Sequence, residues 1–147
     1  MVTALGAVGG WLGVQSNHYH QIDSGRAAFL QAARQGAVNL TTIDWQHADA
    51  DVQRILDTAT GSFYDDFSKR SGPFIDVVKQ SQSTSTGTVL SSGVQSASAD
   101  TAQVLVAVKV NITNAVAPQQ PPRSWRMQLT VKKMGDAVKV SDVEFVP

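Results

Sequence analysis

No cysteine occurs among the 147 residues, which excludes disulfides, thiolate metal sites and cysteine nucleophiles. Charge of one sign is missing as well, because 12 Lys and Arg balance 12 Asp and Glu and leave a formal charge of zero. Without a basic excess there is no electrostatic footprint for a polyphosphate chain, so nucleic acid is not an expected partner. Aromatic residues make up only 7% of the chain. The Walker loop, G-x-S-x-G, G-x-G-x-x-G and H-E-x-x-H patterns are all absent, which removes the common nucleotide, hydrolase and zinc-protease signatures. Within these 147 residues one full-sized domain is expected, since a length near 150 suits one domain. A chain of this size buries roughly 68–70% of its unfolded surface and needs no crosslink to hold a core.

What is present begins with a greasy leader. Residues 2–14 (VTALGAVGGWLGV) are apolar or small except for the hydroxyl of Thr3, and the first charged residue is Asp23. The run is shorter than the roughly 20 residues a spanning helix needs. It also lacks the positive n-region and cleavage pattern of a secretory signal. Two readings stand side by side: the outer end of a membrane helix with Trp11 at the interface, or a flexible glycine-rich leader or short segment packed on the domain. The first is preferred, because the four glycines of this run are tolerated in membrane helices but weaken a soluble one. Residues 1–16 are therefore expected to be the residual outer part of an N-terminal anchor, and residues 17–147 an extracytoplasmic domain.

Helical spacing then recurs from Asn17 to Leu40, through Tyr19, Ile22, Phe29, Leu30, Ala33, Ala37 and Leu40. A second helix is expected after Asp49 or Asp51 acting as N-cap, with Val52, Ile55, Leu56 and Ala59 on one face and Gly61 as its stop. A third is expected from Ser62, broken or kinked at Ser71-Gly72-Pro73 and resumed by Phe74, Val77 and Val78.

From Ser81 the texture changes to strands. The first is expected through Thr86–Val89 to Ala97, with a bulge at Ser92-Gly93. The second alternates Ala102, Val104, Val106, Val108, Val110 and Ile112 with polar residues, and the third alternates Trp125, Met127, Leu129 and Val131 with Arg126, Gln128, Thr130 and Lys132. A proline-rich loop, Ala117–Arg123, joins these two. Gly135-Asp136 forms a hairpin turn. The last strand shifts phase between Val140 and Val143, which predicts a bulge near Ser141 or Asp142. The expected class is α+β: three N-terminal helices packed on a curved four-stranded antiparallel sheet. By analogy this order matches the cone-shaped fold of the NTF2-like superfamily and of VirB8-like periplasmic domains.

Chemistry is sparse. The apolar strand faces offer no base, so the ionisable groups available for acid–base work are Asp44, His47, Tyr64, Asp65 and Asp66 on or between the helices. Asp44 more readily caps a helix end, and the expectation is that the protein is not an enzyme and has no catalytic residues. His18 and His20 diverge on a helix and, with His47, lack acidic ligands at metal spacing, so neither metal nor cofactor is expected. Arg123, Arg126, Lys132 and Lys133 place four cations on or beside the third strand, where they keep the exposed face soluble or meet an anionic partner surface. The sequons at Asn39 and Asn111 decide nothing. Phe63, Phe67, Trp125 and Met127 are the expected lining of a pocket between helices and sheet, or else plain core.

Three segments carry a family resemblance: Ala32–Asp44 (AARQGAVNLTTID), Asp49 through Thr60-Gly-Ser-Phe63, and the closing Val143–Pro147 (VEFVP). Together they resemble the Mce-associated membrane proteins of mycobacteria and their relatives, with a match from about Arg26 onward. The resemblance implies one N-terminal membrane helix, an extracytoplasmic domain of the cone-shaped kind, and a structural role for Arg34, Thr41, Thr42, Asp44, Thr60, Gly61 and Phe63. It also implies a non-enzymatic accessory subunit in the cell envelope, single-pass in the membrane, whose partners are the subunits of an Mce-type lipid-import complex. A lipid or small-molecule binding module built on the pocket is the alternative, and a cone-fold enzyme a more distant one.

Overall fold

The computed structural model describes residues 17–117 and 119–146, with side chains from residue 25 onward. The apolar leader, and the side chains of His18, Tyr19, His20 and Ile22, lie outside the described residues. Helix α1 (Asn17–Thr41) leads into a two-residue strand β1 (Ile43–Asp44), a single 3-10 turn (Trp45–His47), α2 (Ala48–Asp57) and α3 (Gly61–Ser81). Strands β2 (Thr84–Ala97), β3 (Thr101–Thr113), β4 (Arg123–Met134) and β5 (Ala137–Val146) follow. All pairs are antiparallel and the sheet order is the chain order, β1 to β5. The class is α+β as expected, but with five strands instead of four. A two-residue strand has no alternation from which to be read.

The alternating strands behave as their pattern requires. Val104, Val106, Val108 and Val110 of β3 and Met127, Leu129 and Val131 of β4 are buried on one face, where Phe29, Ala33 and Ala37 of α1 cover them. The small side chains of Ala33 and Ala37 let α1 lie close on the sheet. A second, smaller cluster of Ile43, Ala48, Ile55 and Val78 joins α2 and α3, with Trp45, Phe63, Phe67, Phe74 and Ile75 packed around it.

Four local expectations need correction. Neither Asp49 nor Asp51 caps α2; both lie inside its first turn, and the cap position belongs to His47, which makes no side-chain cap bond. Gly61 does not end α2 but opens α3, and its φ of +60° supplies the left-handed reversal between them. The stop itself comes earlier, where Thr58 bonds back to Ile55 and Thr60 then pairs with Val140 of β5. Pro73 does not divide α3, which runs from Gly61 to Ser81. A proline inside a helix forfeits one backbone bond, and Phe67 on one side with Phe74, Ile75 and Val78 on the other pack into the same cluster. The irregularities of β2 fall at Leu90 and Gln95, where the register to β3 slips, and not at Ser92-Gly93.

The bulge in β5 does lie where the phase shift predicts. Thr130 pairs with Asp142 and Val131 with Val140, leaving Ser141 unpaired, its hydroxyl donating to Thr130 O at 3.2 Å. At that point the α2–α3 link covers the outer edge of the sheet: Thr60 N donates to Val140 O and Val140 N to Thr58 O, both at 2.8 Å. Such cover blocks edge-to-edge pairing. Among the described residues no helix is long and apolar enough to cross a membrane.

Candidate functional site

Two concave regions flank the C-terminal end of α1, and the chain segment Leu40–Asp44 separates them. Its geometry follows from hydroxyls satisfying the free groups at the helix end. Thr41 Oγ1 donates to Ala37 O at 2.7 Å, and Thr42 Oγ1 accepts Gly87 N at 3.1 Å. Ser85 Oγ accepts Ile43 N at 3.2 Å, and Trp45 N donates to Ser83 O at 3.0 Å, so β1 is laced onto the start of β2.

On the outer side of this segment lies a polar clasp. Asp51 Oδ2 accepts Asp44 N at 2.8 Å, while Asp51 Oδ1 faces Arg54 Nη1 at 3.0 Å. Arg54 also donates from Nε to Asn39 Oδ1 at 3.2 Å and from Nη2 to Thr42 O at 3.4 Å, so one guanidinium binds the end of α1, the turn after it and α2. Gln35 Nε2 adds a second donor to Asn39 Oδ1 at 3.0 Å. The clasp borders an open cleft of about 470 Å³ that Gln35, Asn39, Asp44, Arg54 and Thr84–Thr86 line.

The other concavity is an apolar cavity of about 240 Å³ beneath Trp125, bounded by Leu40, Ile43, Phe74, Val78 and Ile112. Of the four residues expected to line a pocket, Trp125 does so. Met127 is sealed in the main core, and Phe63 and Phe67, with ring centroids 5.8 Å apart, pack between the core clusters. Trp125 packs edge-on against Phe145 at 5.8 Å, and Phe145 itself is 66% exposed.

Of the seven residues to which the resemblance assigns a structural role, Thr42 and Asp44 come together at the clasp, Thr41 faces the apolar cavity on the other side with its hydroxyl tied to Ala37 O, and Phe63 packs between the core clusters. Thr60 and Gly61 belong to the separate junction with β5, and Arg34 is half-buried on α1 without a hydrogen bond among the described residues. Asp44 does cap, but it caps the 3-10 turn, with Oδ1 accepting Gln46 N at 2.9 Å and Oδ2 3.5 Å from His47 Nδ1. Asp44→Ala is expected to lower stability by about 1 kcal/mol; an unchanged melting curve would count against this cap. Tyr64 sits at the start of α3, whereas Asp44 lies beside its far end, roughly 25 Å away at 1.5 Å per residue. The two cannot act on one proton.

Asp65 and Asp66 are exposed on α3. The cations Arg123, Arg126, Lys132 and Lys133 are exposed along β4, and Lys133 Nζ lies 5.9 Å above the Phe29 ring. Asn39 of the first sequon is only 3% exposed. No group of three potential metal ligands occurs among the described residues. Sequence reasoning passed over Gln35 and Arg54, and it read Asn39 only as a sequon and Asp51 only as a cap. Their spacings, i to i+4 and i to i+3, were the available signal.

Solved structures share this fold. An IcmL-like type IV secretion system protein from Legionella pneumophila is similar with a TM-score of 0.67 and 12% identity, over 83% of this chain and 92% of that one. The periplasmic domain of DotI is similar with a TM-score of 0.63 and 14% identity, over 82% and 94%. CagV, a VirB8 homolog from Helicobacter pylori, is similar with a TM-score of 0.57 and 12% identity, over 82% and 97%. At these identities the likeness is one of fold, which is therefore VirB8-like. In sequence the chain is similar to "Uncharacterized protein Rv1363c" of Mycobacterium tuberculosis, 43% identical over 121 residues. That stretch is 82% of this chain and 46% of the relative, so the match spans about half of the relative's length. Residues 1–147 match in full the family described as "Uncharacterized protein Rv1363c/MT1408-like", and the chain belongs to that family.

Proposed function

We propose that the protein is a non-enzymatic, membrane-tethered accessory subunit of the cell envelope, whose domain lies on the extracytoplasmic side and stabilises an Mce-type lipid-import complex. The observation that carries this reading is the VirB8-like fold, which similar structures show in the periplasmic domain of DotI and in type IV secretion proteins. The sequence resemblance to Mce-associated proteins narrows the partner to lipid-import subunits. The apolar leader ahead of α1 supplies the tether, and tethering raises the local concentration of a docking domain without any new contact. The helix-covered face of β3 and β4 supports a scaffold role, since it buries Val, Ala, Met and Leu side chains and no ionisable group. Affinity purification of the full-length protein in mild detergent tests the proposal, and permease, ATPase and Mce subunits are expected in the eluate.

The 240 Å³ cavity under Trp125 favours one second reading, a lipid or small-molecule binding module. Recovery of the protein without partners but with stoichiometric lipid in its mass spectrum would replace the scaffold reading by this one.

A further inference from the structure

The clasp leaves hydrogen-bonding capacity unused, and that capacity faces the cleft. Asn39 is 97% buried (3% exposed), and its Oδ1 takes two donors, Gln35 Nε2 and Arg54 Nε. A guanidinium only donates, so the amide orientation of Asn39 is determined: oxygen toward Arg54, Nδ2 with its two hydrogens away from it. Gln35 is determined in turn. Its Nε2 is engaged by Asn39, which leaves Oε1 as an acceptor. Neither Asn39 Nδ2 nor Gln35 Oε1 has a partner among the described residues, and both residues line the 470 Å³ cleft. Ser92 Oγ is the one fully buried side-chain polar atom without a partner among the described residues. Asn39 Nδ2 is therefore not sealed in; it reaches the cleft.

The chemistry of the walls selects the ligand. Opposite the amides stand Thr84, Ser85 and Thr86, and Ser85 Oγ, already accepting Ile43 N, keeps its hydrogen to donate. Asp44 and Asp51 outnumber Arg54, whose guanidinium already serves Asn39, Asp51 and Thr42. An anion would meet net negative charge. An extended peptide would find no free ladder, since Ser85 pairs with Ile43 and Gly87 N is held by Thr42. What fits a neighbouring donor and acceptor at once is a pair of hydroxyls, because each hydroxyl both donates and accepts. The volume lies within the roughly 300–1,000 Å³ of small-molecule sites. We infer that the cleft binds a neutral polyhydroxylated ligand, a sugar ring, held by Asn39 Nδ2 and Gln35 Oε1. The inference stands apart from the transporter reading and survives or fails without it.

The test is a titration of the full 147-residue chain in a sugar-free detergent, following the side-chain amide signals of Gln35 and Asn39 by NMR. The probes are maltose, sodium phosphate, and vesicles of phosphatidylcholine with or without glucosyl-diacylglycerol. Maltose is expected to shift both amides saturably in the millimolar range. Gln35→Ala, at an exposed position and with its fold checked by an unchanged backbone spectrum, is expected to weaken this about tenfold, the effect of losing one hydrogen bond. Asn39→Asp keeps the shape but removes the donor, and is expected to do the same. Glucosyl vesicles that bind and are displaced by maltose would also support the site and identify a lipid headgroup as the source of the sugar. Shifts produced by phosphate and not by maltose, or no shift by maltose and equal binding to both vesicles, would overturn the proposal.

Discussion

Gly87→Ala is expected to destabilise the domain by about 3 kcal/mol, the upper range for forcing atoms into a packed core. A methyl group added at Gly87 would overlap Thr41 Oγ1 and come within 2.7 Å of Thr41 Cβ. Neither side can give way. Thr41 is 2% exposed and its hydroxyl is tied to Ala37 O, while the Gly87 backbone is tied to Thr42 Oγ1. The close approach of α1 to β2 thus depends on the missing side chain. Thermal melts should show a fall of about 10 °C, given a few degrees per kcal/mol for a domain of this size. The cause is checked by a double-mutant cycle: in a Thr41→Gly background the same substitution should cost much less. Equal costs in both backgrounds would mean that the helix does not bear on β2 at this point.

Asp51→Ala is expected to cost about 2 kcal/mol, twice the effect of removing Asp44. The Asp51 carboxylate accepts the Asp44 backbone N–H and holds Arg54, and its side chain is only 12% exposed. Its loss leaves a partly buried donor without a partner, which costs 1–3 kcal/mol by itself. Arg54 is 43% exposed and can turn to water, so the ion pair adds little to that figure. Asp51→Asn, which keeps one acceptor for Asp44 N, should recover most of the loss in a chemical denaturation series. If alanine and asparagine are equally tolerated, the clasp does not hold α2 to the end of α1.

The strands of the main core were legible because alternation of Val, Met and Leu with polar residues reports a buried face directly: β3 and β4 bury the residues their pattern marks. The bulge at Ser141 was legible for the same reason, as a change of phase. Pro73 and Gly61 misled, because a local rule about proline or glycine is overruled when flanking side chains share a cluster, or when the helix has already stopped at Thr58. The clasp was legible only in its parts. Asp51 and Arg54 share a helix at i and i+3, but Asn39 belongs to another helix, and nothing in the spacing says that Arg54 reaches back across fifteen residues to Asn39.

The sequence by itself determined the composition of the layers: which residues are helical, which alternate, where the chain turns at Gly135-Asp136, and that cysteine chemistry is excluded. Only the tertiary structure decided which polar side chains meet. Periodicity encodes the direction of a side chain relative to its own element, and the distance between two elements is set by packing, here by Gly87 under Thr41 and by Ala33 and Ala37 under the sheet. That packing brings the end of α1 against β1 and α2, and so creates both the cleft beside Asn39 and the cavity beneath Trp125.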